Sequence, residues 1–370
     1  MNLFYLLIRL GLGQGPLEGL SMVEDDAFKA LDISEWKRLG ELAAKQALMG
    51  VFVDGVQALS EDCRPPLPLY LSWVAAVAQV EKENERLNLR AKELVEGYHA
   101  HHIPVVLLKG QGIAQFYPNP LRRQCGDIDV YLGPEHYQEA NALLAADGGE
   151  KGAEESIKHM TFEWRGVHIE NHRVMTGFAQ RKHRMAFLKL LKAWFPHQIP
   201  MRTVGTAKLP VPPVSFDAIY ILKHAMEHLL CSGVGFRQLM DWLLLVSAHR
   251  EELPVEPFMK QLKEVGLDKA APAVWYIGVT YLGFVPGAWP FPMDEALGEV
   301  LLEEILLSGN MGHFDRRMGQ RPKGYWPGKW WGYRMSLARV RRIRAIMPGE
   351  ADGQWRYRIK NLFVILKNKV

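Results

Sequence analysis

Cysteine is scarce in this sequence, and long apolar runs are missing from it. The 370 residues include three cysteines, Cys63, Cys125 and Cys231, which are too few and too scattered for a disulfide framework or a metal-binding knuckle. A reducing compartment fits this content best, so we expect a cytoplasmic protein. No run approaches the roughly 18 apolar residues that a membrane-spanning helix needs. The apolar start at residues 1–9 lacks a basic region and a cleavage site, so we expect it to pack on the protein itself.

Acidic residues are scarce at the C-terminal end, which makes the charge uneven. The net charge is +4, but residues 321–370 contain 13 Lys or Arg and only two acidic residues, so the remainder of the chain is net negative. The same segment contains Trp326, Trp330, Trp331 and Trp355. Such a segment can bind RNA, an anionic membrane surface or a negatively charged acceptor. The alternative is a solvated helix that its tryptophans anchor to the protein, and the sequence leaves both open.

The patterning along the chain predicts an α+β protein. An apolar content of 48% is enough to bury a substantial core. Helical spacing runs through the first hundred residues, with Asp32 or Ser34 as a candidate N-cap, and strands then alternate with helices before helical spacing returns. The predicted regions are a helical region at 1–102, an α/β domain at 103–212, a helical domain at 213–320 and a basic, aromatic helical segment at 321–370.

Residues 104–132 contain the strongest candidate for a chemical site. They begin with a short buried strand that breaks at Gly110 and runs into a helix. Around Asp127 and Asp129 the apolar residues fall on alternate positions, which predicts a strand with two carboxylates on one face. Residues two apart on a strand are separated by about 6.6 Å, so both carboxylates can reach divalent ions roughly 3.5–4 Å apart.

A β-hairpin is predicted over residues 160–172, with Arg165-Gly166 as its turn. Pairing across this two-residue turn sets Trp164 opposite Val167 and continues outward from the turn, with 163 opposite 168, 162 opposite 169 and 161 opposite 170. In this register all the apolar residues share one face of the hairpin. The other face carries Glu163, His168 and Glu170.

Together these motifs resemble the nucleotidyltransferase superfamily of the DNA polymerase β type. The strings that carry the resemblance are Leu107-Leu108-Lys109-Gly110, Tyr117-Pro118, Arg123, Gly126-Asp127-Ile128-Asp129 and Glu170-Asn171-His172. The pattern looks like a bacterial branch with helical flanks, and it covers most of residues 3–250. It implies a polymerase β-like nucleotidyltransferase domain, a small mixed sheet with helices, flanked by N- and C-terminal helical regions. Lys-Gly stands where the wider superfamily has Gly-Ser, which implies that the phosphates are held differently.

The resemblance also implies a metal site. Asp127 and Asp129 would bind two Mg²⁺ ions, with Mn²⁺ as an alternative, because these ions prefer oxygen ligands. Glu170 would complete the site, since the family has an acid two residues before a histidine. Glu163 is the competitor for this third position, because the hairpin register places it on the same face.

The predicted strand-to-helix turn is the expected phosphate site. Lys109 and Gly110 would hold the phosphates of an NTP, expected to be ATP, through backbone N–H groups and an ammonium that we expect to be exposed. Arg123 would make a second phosphate contact. The alternative for Arg123 is a structural ion pair in a loop.

A pair of predicted helices within residues 219–242 is part of the same resemblance, which implies that it lines the cleft opposite the metals. The candidate cleft-lining residues are His172, His228 and Arg237. His224 and His228 lie four residues apart, with Asp241 on the next helix, so zinc or a phosphohydrolase-like metal site is an alternative. Packing between the two helices is the more ordinary role for these side chains.

Two functions follow as hypotheses. The first is a Mg²⁺-dependent nucleotidyltransferase that moves an NMP from an NTP to an unidentified hydroxyl-type acceptor. The second is a catalytically silent binding protein that keeps the fold and engages RNA, a membrane surface or a protein partner through its basic C-terminal segment. Metal-dependent nucleotide binding separates the two hypotheses.

Overall fold

The computed structural model describes residues 2–15, 20–155, 158–287 and 289–356. Their helices and small mixed sheet confirm the expected α+β class. None of the described helices combines the length and the apolar character that crossing a membrane requires. The chain divides into two units, the first made of Met1–Thr176, Trp194–Asp217 and Tyr281–Phe284, and the second of Gly177–Ala193, Ala218–Thr280 and the described part of Val285–Val370.

Five helices precede the sheet in the first unit. They are α1 (Leu3–Gly11), α2 (Met22–Lys29), α3 (Ile33–Lys45), α4 (Met49–Gln57) and α5 (Leu67–Ala100). The Asp32 side chain caps α3 by accepting a hydrogen bond from the backbone N–H of Glu35. Helices α1 and α4 approach closely at Gly11 and Gly55, where an added Cβ would lie 1.9 Å from a carbonyl oxygen of the other helix. The apolar residues at positions 4–8 are buried, which confirms that the start of the chain packs on the protein.

The central sheet of the first unit has five strands in the order β1-β2-β5-β4-β3. The strands are β1 (Val106–Leu108), β2 (Ile128–Tyr131), β3 (Glu150–Glu155), β4 (His159–Trp164) and β5 (Val167–His172), and helices α6 (Gly110–Ala114) and α7 (Gly133–Ala146) follow β1 and β2. Strands β2 and β5 run parallel and set Asp129 opposite Glu170, whereas the other neighbouring strands are antiparallel.

The predicted hairpin is confirmed as the β4–β5 pair. Its register runs from Trp164 opposite Val167 to His159 opposite His172. Arg165 and Gly166 form the turn with φ values of 49° and 78°. Positive φ at both central residues is the geometry that matches the twist of a two-residue hairpin.

The two faces of the sheet have different surroundings. On one face the side chains of Ile128, Val130, Phe162 and Ile169 are buried against those of α5 and α7. A two-stranded sheet, β6 (Met201–Val204) and β7 (Ala207–Pro210), adds Val204 and Leu209 to the same core. The carboxylates and histidines of β2, β4 and β5 occupy the alternate positions, so they lie on the opposite face.

Asn171 is a buried polar residue in the apolar face, directly between Glu170 and His172 in β5. Its amide nitrogen donates to the Tyr98 hydroxyl at 2.8 Å and to Asn141 Oδ1 at 2.9 Å. The Tyr98 hydroxyl in turn donates to Asn171 Oδ1 at 3.0 Å. These bonds tie β5 to α5 and α7 at the position between Glu170 and His172.

The second unit consists of helices. They are α8 (Arg181–Lys192), α9 (Val214–Cys231, whose first residues belong to the first unit), α10 (Phe236–Ala248), α11 (Val255–Glu264), α12 (Ala270–Leu282, whose last two residues belong to the first unit), α13 (Glu295–Ser308) and α14 (Tyr325–Ile343). Short 3₁₀ turns of both units lie at Glu61–Cys63, Pro120–Arg122, Arg250–Glu252, Asn310–Gly312 and Arg316–Met318.

Several basic residues of the C-terminal segment have acidic partners inside the second unit. Glu304 accepts two hydrogen bonds from Arg317, at 2.7 and 2.9 Å, and one from Arg342 at 2.6 Å. Arg339 is buried 3.6 Å from a carboxylate oxygen of Asp315, and Arg344 pairs with Asp352 at 2.7 Å. Arg339, Arg342 and Arg344 of the segment are therefore part of the unit's own ionic structure, and a role of the segment toward an anionic partner stays a prediction.

The Asn171→Ala substitution should destabilise the first unit by roughly 2–3 kcal/mol, because it leaves the buried Tyr98 hydroxyl and Asn141 amide without their partner. Urea unfolding measures this loss. The exposed Gln138→Ala on α7 is the control and should change stability by less than about 0.5 kcal/mol. A loss for Asn171→Ala as small as that of the control would show that the network does not hold β5.

The Glu304→Gln substitution should change how stability depends on pH. Burial raises the pKa of Glu304, but hydrogen bonds from Arg317 and Arg342 outweigh burial and hold that pKa below its ordinary value of 4.5. The folded state therefore gains stability from the ionised carboxylate at neutral pH and loses it as the pH falls below 4.5 and through the lower folded pKa.

Wild type and Glu304→Gln should therefore differ most at neutral pH, and the gap in unfolding free energy should shrink in acid. Denaturant unfolding at a series of pH values measures the gap. Glu303→Gln, which changes the exposed neighbour on α13, should stay close to wild type at neutral pH. A difference in unfolding free energy that does not change with pH would contradict the conclusion that the ionised carboxylate of Glu304 stabilises the folded state.

Candidate functional site

Three carboxylates converge on the polar face of the central sheet. One oxygen from each of Asp127, Asp129 and Glu170 lies within 4.8 Å of the others, a set that we call the acid group. Asp129 and Glu170 are brought together because they are paired residues on neighbouring parallel strands.

Asp127 reaches the acid group from outside the sheet. The expectation that both aspartates lie on one strand is wrong for Asp127, because β2 begins at Ile128. The carbonyl oxygen of Asp127 accepts a hydrogen bond from the Gln111 side chain at 2.9 Å. This hydrogen bond from α6 therefore helps to fix the backbone of Asp127, which lies before the first residue of β2.

The two candidates for the third carboxylate have different positions. Glu163 is paired with His168, two residues or about 6.6 Å along the hairpin from the position of Glu170. Its side chain is 62% exposed and contacts His168 Nδ1 at 2.8 Å, whereas the Glu170 side chain is 21% exposed. The structure brings Glu170, and not Glu163, to the two aspartates.

His172 lies buried behind the acid group. Its Nε2 atom is 2.9 Å from Asp129 Oδ1 and 3.2 Å from Glu170 Oε2. Burial alone lowers the pKa of His172, but the hydrogen bonds to Asp129 and Glu170 outweigh burial and raise that pKa above its usual range. The imidazole therefore compensates negative charge in the acid group.

His159 is a site residue that the sequence analysis missed. It stands opposite His172 in the hairpin, with ring centroids 4.9 Å apart, and its Nδ1 atom is 3.8 Å from Glu170 Oε2. One ligand atom from each of His159, Glu170 and His172 lies within 4.8 Å of the others, a set that we call the histidine group. Extending the predicted register past Met160 would have placed His159 beside His172.

Lys109 and Gly110 form the turn that enters α6. Both have positive φ, 50° and 33°, which is unusual for a lysine. The Lys109 side chain is only 15% exposed, because its Nζ atom lies 3.1 Å from Asp129 Oδ2. The expectation of an exposed lysine is wrong, since the acid group attracts the ammonium.

Arg123 lies four residues before Asp127, and it is 4% exposed. One of its guanidinium N–H groups contacts the sulfur of Cys125 at 2.9 Å, and its carbonyl oxygen accepts a hydrogen bond from the Asn84 side chain at 2.6 Å. The neighbouring Arg122 pairs with Asp54 and with Glu81. These contacts give Arg123 a structural place in the loop, and its predicted contact with phosphate is untested.

His228 and Arg237 lie in the second unit, on α9 and α10. The Nε2 atoms of His224 and His228 are 2.9 Å apart. Among the described residues, the acid group and the histidine group are the sets of three donors close enough to share an ion, and neither includes His224, His228 or Asp241. A role for His228 or Arg237 toward nucleotide or acceptor stays a prediction.

Comparison with protein families finds a match for this chain. The model of a family described as uncharacterised nucleotidyltransferase matches residues 32–282, which is more than half of the 370-residue chain. This range includes the acid group and the histidine group. No curated protein and no solved structure is detectably similar to the chain.

The Lys109→Met substitution should strengthen the binding of Mn²⁺ alone by several-fold to about tenfold, because it removes a cation that competes for Asp129. Electron paramagnetic resonance of free Mn²⁺ measures this affinity. Lys92→Met is the control, since Lys92 is a half-exposed lysine paired with Glu96 on α5. Weaker Mn²⁺ binding by Lys109→Met would contradict a competition between the ammonium and the metal ion.

Proposed function

Because the chain belongs to the family of uncharacterised nucleotidyltransferases, we propose that it is a Mg²⁺-dependent enzyme that transfers an NMP from an NTP to a hydroxyl-type acceptor. ATP is the expected donor. The mixed sheet with its parallel β2–β5 pair would be a polymerase β-like nucleotidyltransferase domain. The convergence of Asp127, Asp129 and Glu170 is the observation that carries the proposal.

The acid group fits the donor set that Mg²⁺ requires. Mg²⁺ and Mn²⁺ prefer oxygen ligands and keep several waters, so two or three carboxylates are enough. Asp127 and Asp129 would hold the ions, and Glu170 would complete the set. When bound, such ions neutralise the charge of the triphosphate and of the leaving pyrophosphate, and they favour the ionised acceptor hydroxyl.

Glu170 is a carboxylate of the acid group that an acceptor can reach. Its side chain is 21% exposed, whereas that of Asp129 is 4% exposed. His159 and His172 both contact Glu170 through Oε2. Glu170 Oε1 would therefore accept the proton of the acceptor hydroxyl, while His172 fixes the orientation of the carboxylate through Oε2.

Lys109 and Gly110 would hold the phosphates. The Lys109 ammonium now contacts Asp129 at 3.1 Å, so an incoming triphosphate would compete with Asp129 for it. Gly110 offers backbone N–H at the same turn. Arg123 is buried, which favours a positioning role for the loop before Asp127 over direct contact with the nucleotide.

A second candidate function is a catalytically silent binding protein with the same fold. It is favoured by the contacts of Asp129, whose Oδ2 faces Lys109 and whose Oδ1 faces His172. These partners compensate the buried carboxylate without a metal ion. Partner binding through the basic C-terminal segment is less favoured, because Arg339, Arg342 and Arg344 have acidic partners in the second unit.

Mg²⁺ and ATP together should raise the melting temperature of the wild type, because the nucleotide phosphates and the acid group bind the same ions. The double variant Asp127→Asn with Asp129→Asn should lose this shift. Incubation with α-labelled ATP and fractionated cell extract should yield a labelled product that identifies the acceptor. The Glu170→Gln substitution should reduce the labelling rate by roughly 100-fold or more.

Glu163→Gln is the matched control for Glu170→Gln, since it changes the same residue type on the same hairpin. It should label the product at nearly the wild-type rate. A wild-type melting curve that Mg²⁺ and ATP leave unchanged would overturn the enzyme proposal and favour the silent binding protein. Equal losses in Glu163→Gln and Glu170→Gln would overturn the assignment of Glu170.

A further inference from the structure

We propose that the histidine group, His159, Glu170 and His172, is a second cation site that binds a borderline divalent transition-metal ion such as Zn²⁺. The geometry and chemistry of these three side chains are sufficient for such a site. It therefore stands apart from the reaction proposed above, although the two sites share Glu170.

The separations within the histidine group suit coordination of one ion. Zn²⁺ bonds of about 2.0–2.1 Å in tetrahedral geometry place neighbouring ligand atoms about 3.3 Å apart. Glu170 Oε2 lies 3.2 Å from His172 Nε2 and 3.8 Å from His159 Nδ1. One ligand atom of each residue already lies within 4.8 Å of the others. A contraction of about 1.5 Å or less would therefore bring the three atoms onto a common ion.

The backbone of the hairpin fixes these three residues relative to one another. His159 and His172 are a paired position of the antiparallel strands β4 and β5, and Glu170 lies two residues before His172 on the same face. His172 is buried, whereas the side chains of His159 and Glu170 are each 21% exposed. One ligand of the group is therefore buried and two are reachable from solvent, as in zinc sites that keep a coordination position for water or substrate.

The donor types distinguish the histidine group from the acid group. Three carboxylates suit Mg²⁺ or Mn²⁺, whereas two imidazoles and one carboxylate suit Zn²⁺ and other borderline metals. His172 Nε2 contacts Asp129 at 2.9 Å, and it cannot donate to Asp129 while its lone pair binds an ion. Occupation of the histidine group would therefore also release Asp129 Oδ1.

The experiment is a Zn²⁺ titration of the chelator-treated 370-residue chain without a polyhistidine tag. Isothermal titration calorimetry measures the affinity and stoichiometry, and Co²⁺ in place of Zn²⁺ reports nitrogen coordination through its visible absorption. We expect one site in the wild type. His159→Ala should weaken it by about 100-fold or more, because loss of a direct ligand costs at least as much as loss of an outer partner.

His168→Ala is the matched control, since His168 is a hairpin histidine that contacts Glu163 and lies outside both groups. It should bind Zn²⁺ like the wild type, and circular dichroism melting should show that both variants are folded. His172→Gln provides a second loss of ligand and should also weaken the site. If His159→Ala binds Zn²⁺ as tightly as the wild type, the proposal is overturned. It is also overturned if His168→Ala weakens Zn²⁺ binding as much as His159→Ala does.

Two further variants distinguish this inference from its alternatives. Asp127→Asn should retain the Zn²⁺ site even where it loses the thermal shift with Mg²⁺ and ATP, so the two proposals can fail separately. Zn²⁺ binding lost in Asp127→Asn as fully as in His159→Ala would show that the acid group alone binds cations. Binding that His228→Ala abolishes and His159→Ala does not would assign the ion to the His224–His228 pair and overturn the proposal.

Discussion

The pairing of Asp129 with Glu170 across β2 and β5 is the constraint on which the site depends. Neighbouring strands lie about 4.8 Å apart, so paired residues on one face keep their side chains close whatever their charge. Two carboxylates at this distance repel each other, and Asp127 adds a third. The fold must therefore supply positive charge or hydrogen-bond donors at the same place.

Lys109 and His172 supply that compensation. Lys109 Nζ lies 3.1 Å from Asp129 Oδ2, and His172 Nε2 lies 2.9 Å from Asp129 Oδ1. An uncompensated buried carboxylate would cost several kcal/mol. The two partners therefore accompany Asp129 into the protein interior, where the Lys109 side chain is 15% exposed and that of His172 is 6% exposed. The raised pKa of His172 has the same origin, because the neighbouring carboxylates outweigh the effect of burial on the imidazole. A divalent cation entering the acid group must therefore rearrange existing contacts.

The part of the site that follows from local pattern is predictable from the sequence. Alternation of polar and apolar residues fixes the hairpin register. In this register Glu163 on β4 is paired with His168, two residues before Glu170 on β5. The parallel pairing of β2 with β5 is not a local property, since α7 and two strands lie between them in the chain. The same is true of the contact between Lys109 and Asp129, which depends on β1 placing Leu108 opposite Asp129. Burial of the lysine follows from that pairing, and the predicted exposure failed for this reason.

The position of Asp127 depends on α5, a helix that precedes the sheet in the chain. Asp127 lies in a loop, where the ladder of the sheet does not fix the backbone, and loops are ordinarily more mobile than strands. Here the buried Asn84 of α5 donates to the carbonyl oxygens of Leu121 and Arg123, each at 2.6 Å. Because these bonds hold the chain just before Asp127, the position of the Asp127 carboxylate is set by α5 as well as by the sheet. An Asp-x-Asp spacing alone contains no information about this support, so it becomes a specific signal only together with the residues around it.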